Sequence, residues 1–114
     1  MLTFIPNFIF KNYLDKSGGE LIGTINKLKE DFENGVAGNE EKSQELKSSF
    51  LEVEKIWILI VDHKILDEVE NCVEECVAFY NAADEMEFES SSRKLKNHIE
   101  DLAKREEISI INIL

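Results

Sequence analysis

Apolar residues that step by four and three along most of the chain are the feature that most constrains its fold. Leu14, Gly18, Leu21, Ile25, Leu28 and Phe32 fall on one face of a helix, and Ile22 widens that face. The run stops at Asn34-Gly35, a dipeptide suited to the left-handed conformation that closes a helix, so a first helix is expected over about 12–33. Gly18, Gly19 and Gly23 each weaken its first half by up to about 1 kcal/mol relative to alanine, which makes that half a candidate flexible stalk.

After a short loop at 34–39, Asn39 is a good N-cap for a second helix that opens with Glu40 and Glu41. Its stripe is Leu46, Phe50, Val53, Trp57 and Ile60. Ile56 to Val61 is apolar all round and is therefore expected to be surrounded by other helices, at the centre of the core. The next stripe, Ile65, Val69, Cys72, Cys76, Phe79 and Ala83, resumes one position late, because an unbroken helix would place Lys64, Asp67 and Asn71 on the seam. That slip predicts a break near Asp62-His63, the alternative being a continuous helix with a stutter. Tyr80 to Asp84 reads as a turn, and Asp84 with Glu87 resembles a capping box. Phe88, Ser92, Leu95, Ile99 and Leu102 form the last stripe, with Lys104 and Arg105 in a favourable place at its end. The apolar tail Ile108–Leu114 is expected to pack along the bundle. The fold class is all-α, as a four-helix antiparallel bundle or two stacked helical hairpins, since short connections make neighbouring helices antiparallel.

A chain of 114 residues suffices for one domain, and an apolar fraction of 43% with a single proline supports a packed core. The domain is placed at 12–114. Residues 1–11 form an apolar N-terminal segment, too short to cross a bilayer and lacking the basic start and cleavage site of a signal peptide. It reads either as a docked segment or as the end of a truncated membrane anchor. A formal net charge of −11, with only Arg93 and Arg105 as arginines, argues against nucleic acid.

Few residues offer chemistry. Cys72 and Cys76 lie a turn apart on one face, in the apolar stripe, where thiols act as small hydrophobes. As a soft-metal or redox pair they lack the further ligands that zinc or a cluster needs. His63 and His98 would meet if helices 2 and 4 packed antiparallel, with Asp62 or Asp101 as carboxylate ligands. The acidic clusters, Glu30-Asp31-x-Glu33 and Asp67-Glu68-x-Glu70 among them, match no calcium loop and read as solvated faces. Nucleophile and phosphate-loop motifs are absent. No catalytic residue, metal ligand or cofactor is assigned.

The stretch from Trp57 to Asp62-His63 is followed by Leu66-Asp67, Phe79-Tyr80, Leu95, His98-Ile99 and Ile108-x-x-x-Asn112-Ile113. Together with Tyr13-Leu-Asp-Lys-Ser-Gly-Gly-Glu-Leu21, these residues resemble the domain of unknown function 4363 family of clostridia and other spore-forming Firmicutes. The resemblance implies an N-terminal membrane helix, a small helical domain outside the cytoplasmic membrane, no assigned activity, and a partner among small spore-linked membrane proteins. This chain departs from the pattern in carrying only about ten apolar N-terminal residues before Lys11. The leading expectation is a non-enzymatic, membrane-associated module that binds a membrane protein, located at the cell membrane with its helical domain extracytoplasmic. The alternative is a cytoplasmic metal- or thiol-dependent binding protein using Cys72, Cys76, His63 and His98.

Overall fold

The computed structural model describes residues 7–104 of the chain, which form four helices: α1 (Asn7–Glu33), α2 (Glu40–Ile60), α3 (His63–Asn81) and α4 (Glu85–Lys104). Each helix packs on its two neighbours in a closed ring, α1 on α2, α2 on α3, α3 on α4 and α4 on α1. Side-chain pairs fix the directions. Ser17 meets Trp57 and Asp31 meets Lys42, so α1 and α2 run antiparallel. Cys76 meets Ser91, Glu68 approaches His98, Gly18 abuts Ile99 and Lys29 pairs with Glu89, which sets the same relation around the remaining helices. This is an antiparallel four-helix bundle rather than a pair of stacked hairpins.

Local chemistry accounts for each boundary. At the end of α1, Gly35 takes φ +72°, its amide bonds the Phe32 carbonyl, and the Val36 amide bonds the Asp31 carbonyl at 2.8 Å. This is a Schellman cap, which needs a left-handed residue that glycine supplies without cost. The Asn39 side chain then accepts from the Glu41 amide at 2.9 Å to start α2. The same cap closes α3, with Ala83 at φ +53° and the Asp84 amide on the Phe79 carbonyl at 2.9 Å. Ala83 holds this conformation without glycine's freedom, at a cost of about 1–2 kcal/mol. Asp84 also caps α4, its carboxylate accepting from the Glu87 amide at 3.2 Å. The expected break at Asp62-His63 is present. Val61 turns extended (φ −110°, ψ 142°), and the Asp62 carboxylate accepts from the Lys64 amide at 2.8 Å to restart the chain as α3.

The core contains Leu14, Leu21, Ile25 and Leu28 of α1, Leu46, Phe50, Val53, Trp57 and Ile60 of α2, and Phe88, Leu95, Ile99 and Leu102 of α4, all on the expected faces. Four expectations need correction. α1 begins at Asn7, not near residue 12, and Phe10 already packs in the core. Its glycine-bearing half is not a flexible stalk but an unbroken helix, where Gly18 lets α1 approach α4 so closely that a Cβ would lie 2.7 Å from the Ile99 methyl. On α3 the buried face is Leu66, Val69, Cys72, Val73, Cys76 and Tyr80, so Ile65 and Phe79 sit at its margin and Ala83 lies in the turn. The helix starts one residue after Asp62, and its face is set by Tyr80 finding a buried partner on α1. Finally, the apolar turn at 56–61 is not surrounded: Trp57, Ile60 and Val61 point inward, while Ile56, Ile58 and Leu59 are exposed. The tail at 108–114, expected to pack along the bundle, lies outside the described residues.

Gly18→Ala should destabilise the fold, because Ile99 is buried and its β-branched methyl has no free rotation away from the new Cβ. Gly23→Ala, whose Cβ meets nothing within 4 Å, should stabilise it by about 0.5–1 kcal/mol through helix propensity. Urea midpoints moving in the same direction for both variants would contradict the close α1–α4 approach. Trp57→Ala should cost about 3–5 kcal/mol, since the indole is wholly buried, and an unchanged midpoint would place the residue outside the core.

Candidate functional site

Polar groups inside the bundle come first, since buried polar atoms must be paired or available for chemistry. Asp31 falls three residues after Leu28, on the inward face of α1, and is 7% exposed. The Tyr80 hydroxyl of α3 donates to its Oδ2 at 2.6 Å, and the Lys42 ammonium of α2 approaches Oδ1 at 3.2 Å. Burial, followed by the hydrogen bond to Asp31 and its charge, pushes the Tyr80 hydroxyl up to about 12, so the phenol stays a donor at any physiological pH. Phe32 and Phe88 pack against the Tyr80 ring, with centroids 5.8 and 6.1 Å away. Beside this hub, Ser43 of α2 donates to the Asn81 side chain of α3 at 2.7 Å. Toward the other end, the Trp57 indole donates to Ser17 at 2.9 Å, and Ser17 donates onward to the Tyr13 carbonyl at 2.6 Å. Among the described residues, no buried side-chain nitrogen or oxygen lacks a partner. These groups tie helices together.

Asp31 is a correction to the reading of its acidic cluster as a solvated face. The only local signal was its place three residues after Leu28, at the margin of the inward stripe. A shallow cleft of about 330 Å³ between α1 and α2, lined by Thr24, Lys27, Leu28, Asp31, Lys42 and Glu45, opens above this hub. Its ammonium and carboxylate groups balance, and Lys42 already serves Asp31.

Cys72 and Cys76 are free, buried thiols on the inward face of α3. Burial pushes the Cys76 thiol up to about 12 despite a 3.5 Å contact from its sulfur to the Ser91 hydroxyl, and burial also raises Cys72. Both are thus unreactive as nucleophiles at neutral pH. The histidines do not come together as expected. α2 and α4 lie across the diagonal of the ring and are not packed as neighbours, His63 is exposed at the first residue of α3, and His98 of α4 turns to α3, where its Nδ1 lies 3.8 Å from Glu68. Among the described residues, no three His, Cys, Asp or Glu side chains are grouped to hold a metal ion.

Outside the core, one acidic ledge stands out. Glu54 of α2 lies within electrostatic reach of Glu70 and Asp67 on the neighbouring α3. Partial burial, then the charges of Glu70 and Asp67, raise its carboxyl above the ordinary range. Glu54, Glu70 and Asp67 therefore lie near enough to one another on adjacent helices for their charges to repel.

The native protein should react slowly with a thiol reagent at pH 7–8 and release both thiols only on unfolding. Rapid labelling of either Cys72 or Cys76 under native conditions, followed by mass spectrometry, would contradict their burial.

Neither a curated protein nor a solved structure matches the chain. A family model does. It is described as Domain of unknown function (DUF4363), and it matches residues 8–113. That span takes in the Asp31 hub, the Trp57–Ser17 tie, the buried thiols and the acidic ledge alike, and the chain belongs to the DUF4363 family.

Proposed function

We propose that the protein is a non-enzymatic helical module, held at the cell membrane by its apolar N-terminal segment with the bundle outside the cytoplasm, and that it binds a membrane protein through basic loops of that partner. The observation that carries this reading is the acidic ledge on α2 and α3. Glu54 is raised first by partial burial and then by the nearby charges of Glu70 and Asp67, so a lysine or arginine placed among the three carboxylates would be attracted and would relieve their repulsion. A net charge of −11 extends the attraction beyond contact and makes it sensitive to salt.

Anchoring is supported by the apolar composition of the residues ahead of Phe10, which itself packs in the core, and by the membrane helix that the family resemblance implies. Among the described residues, no helix is long and apolar enough to cross a membrane. A strongly anionic bundle is repelled by anionic headgroups, so contact with the membrane depends on that segment. α1 runs without a break from Asn7 to Glu33, so Gly18, Gly19 and Gly23 form no pivot within it. A non-enzymatic role is supported by the buried polar groups, which serve in ties between and within helices.

A tagged copy expressed at native level should fractionate with membranes and be cleaved by protease added outside the cell. It should crosslink to a membrane protein, and the yield should fall with rising salt. The triple variant Glu54→Gln, Asp67→Asn, Glu70→Gln should lose most of that crosslink while remaining folded, because it removes repulsion within the bundle. A soluble, protease-protected protein would overturn anchoring and topology together. Undiminished crosslinking in the triple variant would overturn the ledge as the contact.

A further inference from the structure

A backbone nitrogen attacks an asparagine side chain most easily when it belongs to a glycine, which has no Cβ to block the approach. The chain has one Asn-Gly dipeptide, Asn34-Gly35, and it lies in the turn that closes α1. Asn34, Gly35 and Val36 are all exposed, and even a Cβ built on Gly35 would meet nothing within 4 Å, so water and hydroxide reach its amide freely. Asparagines elsewhere in the bundle lack this setting. Asn12, Asn26, Asn71 and Asn97 lie within helices, where the amide that follows is held in the helical ladder. Asn39 caps α2, Asn81 accepts from Ser43, and each precedes a residue that carries a side chain.

The cap of α1 holds the reaction back. Attack requires the Gly35 nitrogen to lose its proton and swing toward the Asn34 side chain. In the closed cap that N–H donates to the Phe32 carbonyl at 3.2 Å, and the Val36 amide locks the turn on the Asp31 carbonyl at 2.8 Å. Opening these bonds uncovers no core residue, because Asn34, Gly35 and Val36 are already in water. It is fraying of a helix end and not unfolding.

We propose that Asn34-Gly35 is a self-modification site whose rate is set by the opening of the α1 cap. Hydroxide takes the Gly35 amide proton, the nitrogen bonds to Cγ of Asn34, and the Cγ–Nδ2 bond breaks as ammonia leaves with a proton from water. Water then opens the five-membered imide at either carbonyl. One product is aspartate; the other is isoaspartate, with the main chain rerouted through the side chain. Both act on the bundle. A carboxylate at position 34 joins Glu30 and Glu33 at the C-terminal end of α1, where the helix dipole disfavours negative charge. Isoaspartate also adds a methylene to the main chain inside the ring that the Val36–Asp31 bond closes, and that bond ends α1 beside the carboxylate that takes Tyr80 and Lys42.

Peptide mass mapping of the full chain, kept warm at mildly alkaline pH, tests this. The peptide holding Asn34 should gain one mass unit before any other does, and chromatography should resolve it into aspartate and isoaspartate forms. In urea sufficient to unfold the chain the gain should be at least tenfold faster. Val36→Pro, which removes the amide that locks the cap, should speed it severalfold in protein whose helix content is unchanged, and Asn34→Gln should abolish it. Aged protein should unfold at lower urea than equally aged Asn34→Gln, each measured against its own fresh sample. A first gain at another asparagine, equal rates in folded and unfolded chain, or no acceleration in folded Val36→Pro would overturn the proposal.

Discussion

A buried carboxylate sets the register of this bundle. Taking Asp31 out of water costs several kcal/mol unless its charge and lone pairs are met, and a hydroxyl on α3 and an ammonium on α2 meet them. Sliding any one of the three helices by a turn would separate these partners and leave the charge unpaired, whereas an aliphatic core would tolerate such a slip. The Trp57–Ser17 bond does the same for α1 and α2 some four turns away. With α1 located twice against α2 and once against α3, α4 has one groove left to fill. Gly18 draws α4 against α1 there, and Cys76, with Ser91 against its sulfur, lines the other side.

That dependence explains what was legible in the sequence. Four helices, their caps at Asn39 and Asp84 and the inward faces of α1, α2 and α4 follow from local spacing and propensity, which act within a few residues. The break at Asp62 was visible as a slip in phase, although no glycine or proline marks it. The face of α3 was misjudged because two overlapping stripes are available to it, one through Ile65 and Phe79 and one through Leu66, Val73 and Tyr80. Spacing cannot choose between them. The choice comes from a hydrogen bond to Asp31, 49 residues away, and no local pattern records that pairing. Gly18 was misread for the same reason. A glycine in a helix weakens it in isolation, but here it is the contact surface for Ile99, a residue 81 positions later.

The candidate site was less legible than the fold. Single ligand types were easy to see, and geometry decided against grouping them: His63 and His98 lie on different helices, and the two thiols are buried on the inward face of α3, with Cys76 against Ser91. The acidic ledge was present in sequence as the cluster at Asp67-Glu68-x-Glu70, but its partner Glu54 sits on another helix. Only antiparallel packing of α2 and α3 makes the three carboxylates one feature.

Stability and interaction draw on separate sets of residues in this molecule. The ties that hold the helices in register lie inside, where pairing with Asp31, Ser17 and Asn81 satisfies them. The ledge lies outside and opposes folding slightly, since partial burial and then the charges of Glu70 and Asp67 all disfavour ionised Glu54. With its folded-state pKa raised, its contribution to stability is greatest below the ordinary carboxylate range and falls as pH rises through the raised value. In the proposed function, a cationic group of a partner placed among these carboxylates would offset that cost on binding. Because α1 is one unbroken helix from Asn7 to Glu33 and packs on α2, its axis fixes the direction in which the ledge on α2 and α3 faces. Under the proposed function, the unbroken α1 would orient the bundle rather than let it swing on a flexible stalk.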